Sequence, residues 1–512
     1  MKKIFAFLMV ISMLFIVSCD TDSEDTSGPK GPDVPVNPNP DKPWLNFSTW
    51  SDYLSDKYKK PFGWDAANGL GPLIAPIAHD MLAEEYFHSK GLNAGWNLGN
   101  TYDLNSNPRA LSTNSNYNGL MTGLKAAGFN VIRIPSSWGP LSTSAPVPPT
   151  AFMDDIDAAI KAAHAAGLVV FINTHHNKNF FQLNQAGDSY RADREEGVVF
   201  KQMATRVIDV WATIAERFND YGDWLIFESL NEPTITDDGG NVQWDGASLQ
   251  YMRTLNHWNQ VFVDTVRDTG GNNAKRYLIF KSYAGKLDTS LNVANEFRIP
   301  DDPAGTGRLI YSFHSYVPQP LGLEGQATDW DEATHGNSYM TMFNRARENY
   351  LIKGIPVFMG ETGATFHSQR FGEGPESGVN GSSATANRNR LLLLNALGSH
   401  ARTYGVIPCL WDNGEATRAI NPNQANQGNP NGETFAMFRR KPAHDNNVNN
   451  YGLPIDHTKL AGGMFTASTG GAAMNSGNTA RGDNDFGKRT VEAFIDAVNG
   501  KRPYGQPRFD PE

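Results

Sequence analysis

The chain has 512 residues, 39% hydrophobic and 19% charged, with a formal net charge of -10 at pH 7. That is enough apolar material for a large buried core, and 11 Trp, 17 Tyr and 28 Phe leave aromatic rings over for binding. The acidic balance lacks the basic field that phosphates require, which excludes nucleic acid as a partner and leaves neutral polymers, held by stacking and hydrogen bonds, as candidates.

Lys2 and Lys3 precede an apolar run from Ile4 to Val17 that is short for a membrane span, which is the layout of a secretory signal over residues 1–18. The run ends at Ser18-Cys19, which resembles a bacterial lipoprotein cleavage box, with Ile16 and Val17 departing from the usual leucine and small residues. Lipidation of Cys19 is therefore expected, a plain cleaved signal being the alternative. The acidic stretch Asp20 to Asp25 is similar to the signal that sends some lipoproteins to the outer surface, so an exported, outer-membrane-anchored protein is expected. With Cys19 acylated, Cys409 has no disulfide partner and reads as a small buried hydrophobe. Residues 19–43 form the anchor and a proline-rich tether without apolar period. Residues 44–90 read as an N-terminal extension packed on the domain after it, with a helix at Met81 to Phe87 stopped by Gly91. That domain spans 91–505.

Within the domain a unit repeats. A helical stretch ends at a glycine and an apolar strand comes next, around Gly128, Gly167, Gly222, Gly354 and Gly405, with less regular copies at Arg276 to Tyr283 and Arg308 to Tyr316. With Leu92 to Asn97 as the first, about eight strands alternate with helices, and the glycines fit helix C-caps of positive φ. The pattern predicts the α/β class, a (β/α)8 TIM barrel. The helix Met153 to Ala166 carries Ile156, Ile160 and Ala163 on one face, and a closing helix runs from Lys488 to Val498. Extra length comes after strands, at Asn177 to Val198, Thr234 to Ser248, Thr362 to Asn387 and Asn413 to Asp485. Such long βα-loop insertions would wall a cleft on the barrel's C-terminal face.

Two of the strand-like runs, Trp224 to Phe227 and Ile355 to Gly360, run out towards carboxylates, Glu232 beside Asn231 and Glu361. Carboxylates converging from different strand tips are the minimum equipment for cleaving a glycosidic bond. Around them stand Trp96-Asn97-Leu98-Gly99-Asn100-Thr101, Arg133-Ile134-Pro135, His175-His176, Asn231-Glu232-Pro233, His314-Ser315-Tyr316, Gly360-Glu361 and Trp411-Asp412-Asn413-Gly414. In this order, over Leu92 to Gly414, they resemble the motifs of glycoside hydrolase family 5, the cellulase family. The resemblance implies a retaining endo-β-1,4-glucanase acting on β-glucan, in the branch of cellulases, lichenases and xyloglucanases. It implies Glu232 as acid/base and Glu361 as nucleophile, the latter surrounded by Arg133, His314 and Tyr316. Asn231 would meet the sugar 2-hydroxyl, Trp411 would face the sugar ring, and His175, His176 and Asn97 would bind sugar hydroxyls. A mannanase, or a surface glycan-binding protein without catalysis, is the alternative. No cofactor is expected, and nothing in the chain demands an oligomer, so a monomer is expected.

Other carboxylates and histidines have plainer readings. Glu228 shares the parity of Glu232 and reads as a buried, hydrogen-bonded structural carboxylate. Adjacent histidines on a strand diverge, which argues against a metal at His175-His176. Asp483-Asn484-Asp485 reads as a polar turn, with calcium ligation as the alternative. Trp138 lies beside the cleft or packs a loop.

Overall fold

The computed structural model describes residues 39–501 apart from 105–116, 140, 142–144, 177–197, 237–240, 246–248, 293, 295, 324–329, 366–382, 415–434, 441–448, 450, 452 and 455–485. Cys19, most of the proline-rich tether, Asp483-Asn484-Asp485 and much of three of the four expected insertions lie outside the described residues. The chain divides into two compact units, Met1–Asn46 and Phe47–Glu512. In the first, a 3-10 turn spans Pro43–Asn46. The second carries every strand and α-helix of the described residues.

Eight strands pair in parallel and close on themselves: β1 (Gly95–Leu98), β2 (Val131–Ile134), β3 (Val169–Asn173), β4 (Leu225–Glu228), β7 (Leu278–Lys281), β8 (Leu309–His314), β9 (Val357–Thr362) and β10 (Val406–Asp412). Two further strands, β5 (Ile235–Thr236) and β6 (Val242–Gln243), form an antiparallel hairpin in the insertion after β4. Every residue of the eight barrel strands is buried. A strand packed on both faces loses the polar alternation, and runs such as Val169–Asn173 (VVFIN) show this. The expected (β/α)8 barrel is thus the observed one.

Gly128, Gly167, Gly354 and Gly405 do adopt positive φ, as expected for helix stops. Gly222 does not, and it is excluded from bearing a side chain for another reason: a Cβ there would come within 2.8 Å of the Trp224 indole, which precedes β4. The helix read from Met153 begins earlier, at Thr150, because Pro149 at φ -62 starts the turn. It buries Ile156, Ile160 and Ala163 as expected.

The N-terminal extension closes the barrel's lower end. Helix Ala83–Lys90, ended by Gly91 in the left-handed region, sends Ala83, Tyr86 and Phe87 into one cluster with Val131, Val169, Ile226, Ile310 and Phe358 from the strands. It starts later than Met81. Arg276 ties the starts of β4 and β7, donating to the carbonyls of Phe218, Tyr221, Gly222 and Leu225, and burial pushes its pKa down to about 9.

One irregularity sets the site. Along β9 the register against β8 passes from Phe313↔Met359 to His314↔Glu361, and against β10 from Pro408↔Met359 to Leu410↔Thr362. The extra residue is Gly360, a bulge that re-aims Glu361. Pro408, with no N–H to donate, stands where the β10 ladder shifts. A Cβ on Gly360 would lie 3.0 Å from both His314 Nε2 and Ser312 Oγ. Gly360→Ala is therefore expected to destabilise the fold by roughly 1–3 kcal/mol, measured by urea denaturation; an unchanged midpoint would show that the bulge can open to admit a methyl group.

Candidate active site

All eight barrel strands send a side chain to one end: Asn97, Arg133, Asn173, Glu228, Lys281, His314, Glu361 and Trp411. At their centre is Arg133, wholly buried. Its Nε donates to Glu228 Oε2 at 2.6 Å, Nη1 to Glu361 Oε1 at 2.8 Å and Asn97 Oδ1 at 3.1 Å, and Nη2 to Asn231 Oδ1 at 2.8 Å. A guanidinium so engaged is a fixed fork rather than a hand for the sugar. Asn97 is likewise buried, and its Nδ2 lies on the carbonyls of Gly360 and Leu410. The expectation that Asn97 binds a sugar hydroxyl is corrected: it stands behind Arg133, both of its amide atoms spent inside the barrel. Asn231, whose Oδ1 is taken by Arg133, keeps Nδ2 as a donor.

Glu228 is a buried structural carboxylate, as its parity predicts, and a second cation shares it. Lys281 Nζ lies 3.0 Å from Glu228 Oε1, as an ion pair off the ideal hydrogen-bond direction. It also reaches Ser312 Oγ at 2.9 Å and His314 Nε2 at 2.7 Å. Because the ammonium can only donate, His314 Nε2 accepts, and the ring proton sits on Nδ1. From there it donates to Glu232 Oε1 at 2.9 Å, with Glu361 Oε2 at 3.6 Å. Burial, with Lys281 and Arg133 nearby, holds His314 well below the usual histidine range, so the ring is neutral. Sequence reading missed Lys281; the signal available was a charge ending the apolar run Leu278–Lys281.

Glu232 and Glu361 bring carboxylate oxygens within 4.8 Å of each other across His314. The Glu361 side chain is 7% exposed, whereas that of Glu232 is 21% exposed and offers an edge to the cleft. Tyr316 donates to Glu361 Oε2 at 3.0 Å. Burial raises the Glu361 pKa, opposed by Arg133, Lys281 and Tyr316.

On the other side, His175 and His176 do not diverge. Past the end of β3 the pleat no longer alternates them, and their ring centroids lie 4.3 Å apart. With Asp103 they place ligand-type atoms within 4.8 Å of one another. The tautomer decides what this cluster can do. Asn173 Oδ1 accepts from Ser136 N, so its Nδ2 is the atom that donates to His175 Nδ1 at 3.3 Å. Nε2 therefore carries the proton, facing Asp103 Oδ2 and Glu361 Oε1, each at 3.9 Å. Both this nitrogen and His314 Nδ1 are donors, so a metal in either cluster would have to displace a proton that the network fixes. The His175 ring lies parallel to Trp411, 5.8 Å between centroids at 6°. Trp411 packs over Gly99, where a Cβ would come within 2.7 Å of the indole. Trp138, fully buried and donating Nε1 to Asn173 O at 2.7 Å, packs a loop.

Residues 93–417 match the sequence profile "Cellulase (glycosyl hydrolase family 5)". Over 338 residues the chain is 31% identical to Endoglucanase A of Ruminococcus albus, across 63% of this chain and 82% of that protein. The chain belongs to glycosyl hydrolase family 5. Among solved structures, this family 5 enzyme is similar to the lichenase of Caldicellulosiruptor sp. F32 in complex with cellotetraose, at 27% identity and a TM-score of 0.55, over 72% of this chain and 92% of that one. It is also similar to a broad-specificity endoglucanase from Ruminococcus champanellensis with bound cellotriose, at 25% identity and a TM-score of 0.56, over 70% and 94%.

The family 5 barrel is braced from above by the described part of the last insertion. Asp412 accepts from Met437 N and Gly414 N, each at 2.8 Å, and Arg440 donates to Gly99 O and Asp412 O. Phe435 packs against Tyr316, 5.9 Å between ring centroids. Neither Arg440 nor Phe435 was singled out in the sequence, since each acts through loop contacts that no motif spacing carries. Because Tyr316 donates to the charged form of Glu361, Tyr316→Phe is expected to raise the Glu361 pKa further. The acid limb of the enzyme's kcat/KM profile, where Glu361 takes up a proton as pH falls, should then move to higher pH. A limb that stays in place, followed from pH 4 to 8, would remove Tyr316 from the control of Glu361.

Proposed function

We propose that this glycoside hydrolase is an endo-β-1,4-glucanase working by double displacement, with Glu232 as acid/base and Glu361 as nucleophile. The observation that carries the assignment is the unequal setting of the two carboxylates. Glu361 is buried against a fixed guanidinium and a phenol, which aims it and favours its ionised form. Glu232 has one oxygen on the Nδ1–H of a neutral histidine and an edge open to the cleft. Oxygens within 4.8 Å suit the short spacing of retaining enzymes, about 5–5.5 Å between carboxyl groups, rather than the roughly 6.5–9.5 Å that admits a water.

In the first step Glu232 gives its proton to the leaving glycosidic oxygen as Glu361 attacks the anomeric carbon. In the second, Glu232 takes a proton from the incoming water as the water oxygen attacks the anomeric carbon and the bond to Glu361 breaks, which restores the β configuration. The Asn231 amide, turned by Arg133, presents N–H to the 2-hydroxyl as charge develops on the ring. Trp411 and His175 present a parallel pair of rings beside the nucleophile, and Trp411 supplies the platform for the sugar. The solved relatives bind cellotriose and cellotetraose, and their names include lichenase and broad-specificity endoglucanase. Unbranched and mixed-linkage β-glucans are therefore the favoured substrates.

Glu232→Ala should still be glycosylated by dinitrophenyl β-cellobioside, whose leaving group needs no proton, and azide should speed turnover and yield a β-glycosyl azide. Glu361→Ala should lose turnover on every substrate by a factor on the order of 10⁴ or more. An α-configured first product, or normal turnover in Glu361→Ala, would overturn the roles.

We further propose that the enzyme is exported and tethered through an acylated Cys19, on the basis of the signal, the Ser18-Cys19 step and the proline-rich stretch after it. Cys19→Ala is expected to move the protein from the membrane to the soluble fraction with activity per molecule unchanged. Equal fractionation of mutant and parent would reject the anchor.

A further inference from the structure

Lys281 has no place in the two-carboxylate chemistry, yet it is a lysine with no exposed surface at the tip of a barrel strand, touching the residue that touches Glu232. Its Nζ donates to Ser312 Oγ at 2.9 Å and His314 Nε2 at 2.7 Å, and pairs with Glu228 Oε1 at 3.0 Å. Such a cation would be costly to bury unpaired, and the Glu228 carboxylate, held in its ionised form by Arg133 and Lys281 against burial, is its counter-charge.

We propose that Lys281 is a positioning residue that keeps the His314 proton on Nδ1, and so confines the transferable proton of Glu232 to Oε2. The inference rests on the reading of Glu232 as acid/base. An imidazole beside a carboxylate has two ways to lose that arrangement. It can move its proton to Nε2, leaving a lone pair on Nδ1 facing Glu232, or it can take a second proton and become a cation against Glu232 and Glu361. Lys281 blocks both, because an Nε2–H would point at an ammonium 2.7 Å away. No other group facing His314 opposes both. Glu232 and Glu361, at 2.9 and 3.6 Å from Nδ1, hold a proton there but would equally favour an imidazolium, while Gly285 and Gly360 bring no side chain. Arg133, engaged with both Glu228 and Glu361, adds positive charge that supports the neutral ring. With Nδ1–H fixed on Oε1, the carboxyl proton of Glu232 has one oxygen left, and the acid is presented in one orientation.

The test is Lys281→Met, close in length and without charge, in the full-length enzyme. Because Glu228 then keeps a single cation, Lys281→Met/Glu228→Gln is made alongside, which removes one charge of each sign and leaves an oxygen for Arg133. Either protein that melts as the parent does serves. Turnover of barley β-glucan should fall about 10- to 100-fold, whereas turnover of dinitrophenyl β-cellobioside, which needs no acid, should fall less than about threefold. A merely structural role, loosening Glu361 as well, would lower both together and overturn the proposal. Glu232→Ala measured in parallel separates the two readings. If it lacks the same contrast, Glu232 is not the acid; if it shows the contrast and the Lys281 variants do not, the part assigned to Lys281 is wrong. Independently of catalysis, ring-¹⁵N-labelled histidine, with His314 assigned by its loss in His314→Gln, should report Nδ1–H and a bare Nε2 in the parent and a protonated Nε2 in the variant. An unchanged His314 signature in the variant would overturn the proposal.

Discussion

Glu228 is the counter-ion on which the rest of the site depends. Two cations from barrel strands, Arg133 and Lys281, have no solvent exposure, and each would be expensive to bury alone. Glu228 lies between them, and through them its position reaches the two carboxylates that converge at the cleft: by Arg133 to Glu361 and Asn231, by Lys281 and His314 to Glu232. Two positive charges face two buried carboxylates, Glu228 and Glu361. Glu232, its side chain partly exposed, stands outside that balance, so a change in its charge would not strand an ion in the interior.

Backbone shape does as much as charge. Glu361 faces the cleft because Gly360 is inserted as a bulge in β9, and Gly360 is tolerated there because His314 and Ser312 press against its bare Cα. Glu232 is not on a strand at all; it lies beyond β4, where Ala284 N donates to Pro233 O at 2.8 Å and Gly285, at φ 64, admits the Glu232 stem against its Cα. Glu361 is placed by a sheet irregularity and Glu232 by a loop clasp, two different devices.

The barrel and its strand tips were legible because burial on both faces writes itself as short apolar runs, and because a helix stop before a strand favours glycine. Gly222 shows the limit of that reading: a close approach by Trp224 selects glycine just as a left-handed turn does, and the sequence does not separate the two causes. Glu228, Glu232 and Glu361 could be found from parity and strand ends. Asn97 could not be read correctly, since whether its amide meets a sugar or a guanidinium depends on Arg133, which comes from another strand. Lys281 was hidden by its type, because lysine is ordinarily a surface residue, and its partners Glu228 and His314 lie far away in the chain. His175 and His176 were misjudged on alternation, a rule that stops where the strand does.

The packing of Trp411 over Gly99 joins the tips of the last and first strands through the absence of a side chain. It makes position 99 a silent partner of the platform. Alanine at this position would meet both the Trp411 ring, at 2.7 Å, and the Asp412 carbonyl, at 2.9 Å, so the ring and the strand tip beneath it would both have to shift. Two positions more than three hundred residues apart thus share one small volume, and the setting of the Trp411 ring depends as much on what Gly99 leaves empty as on what the ring itself touches.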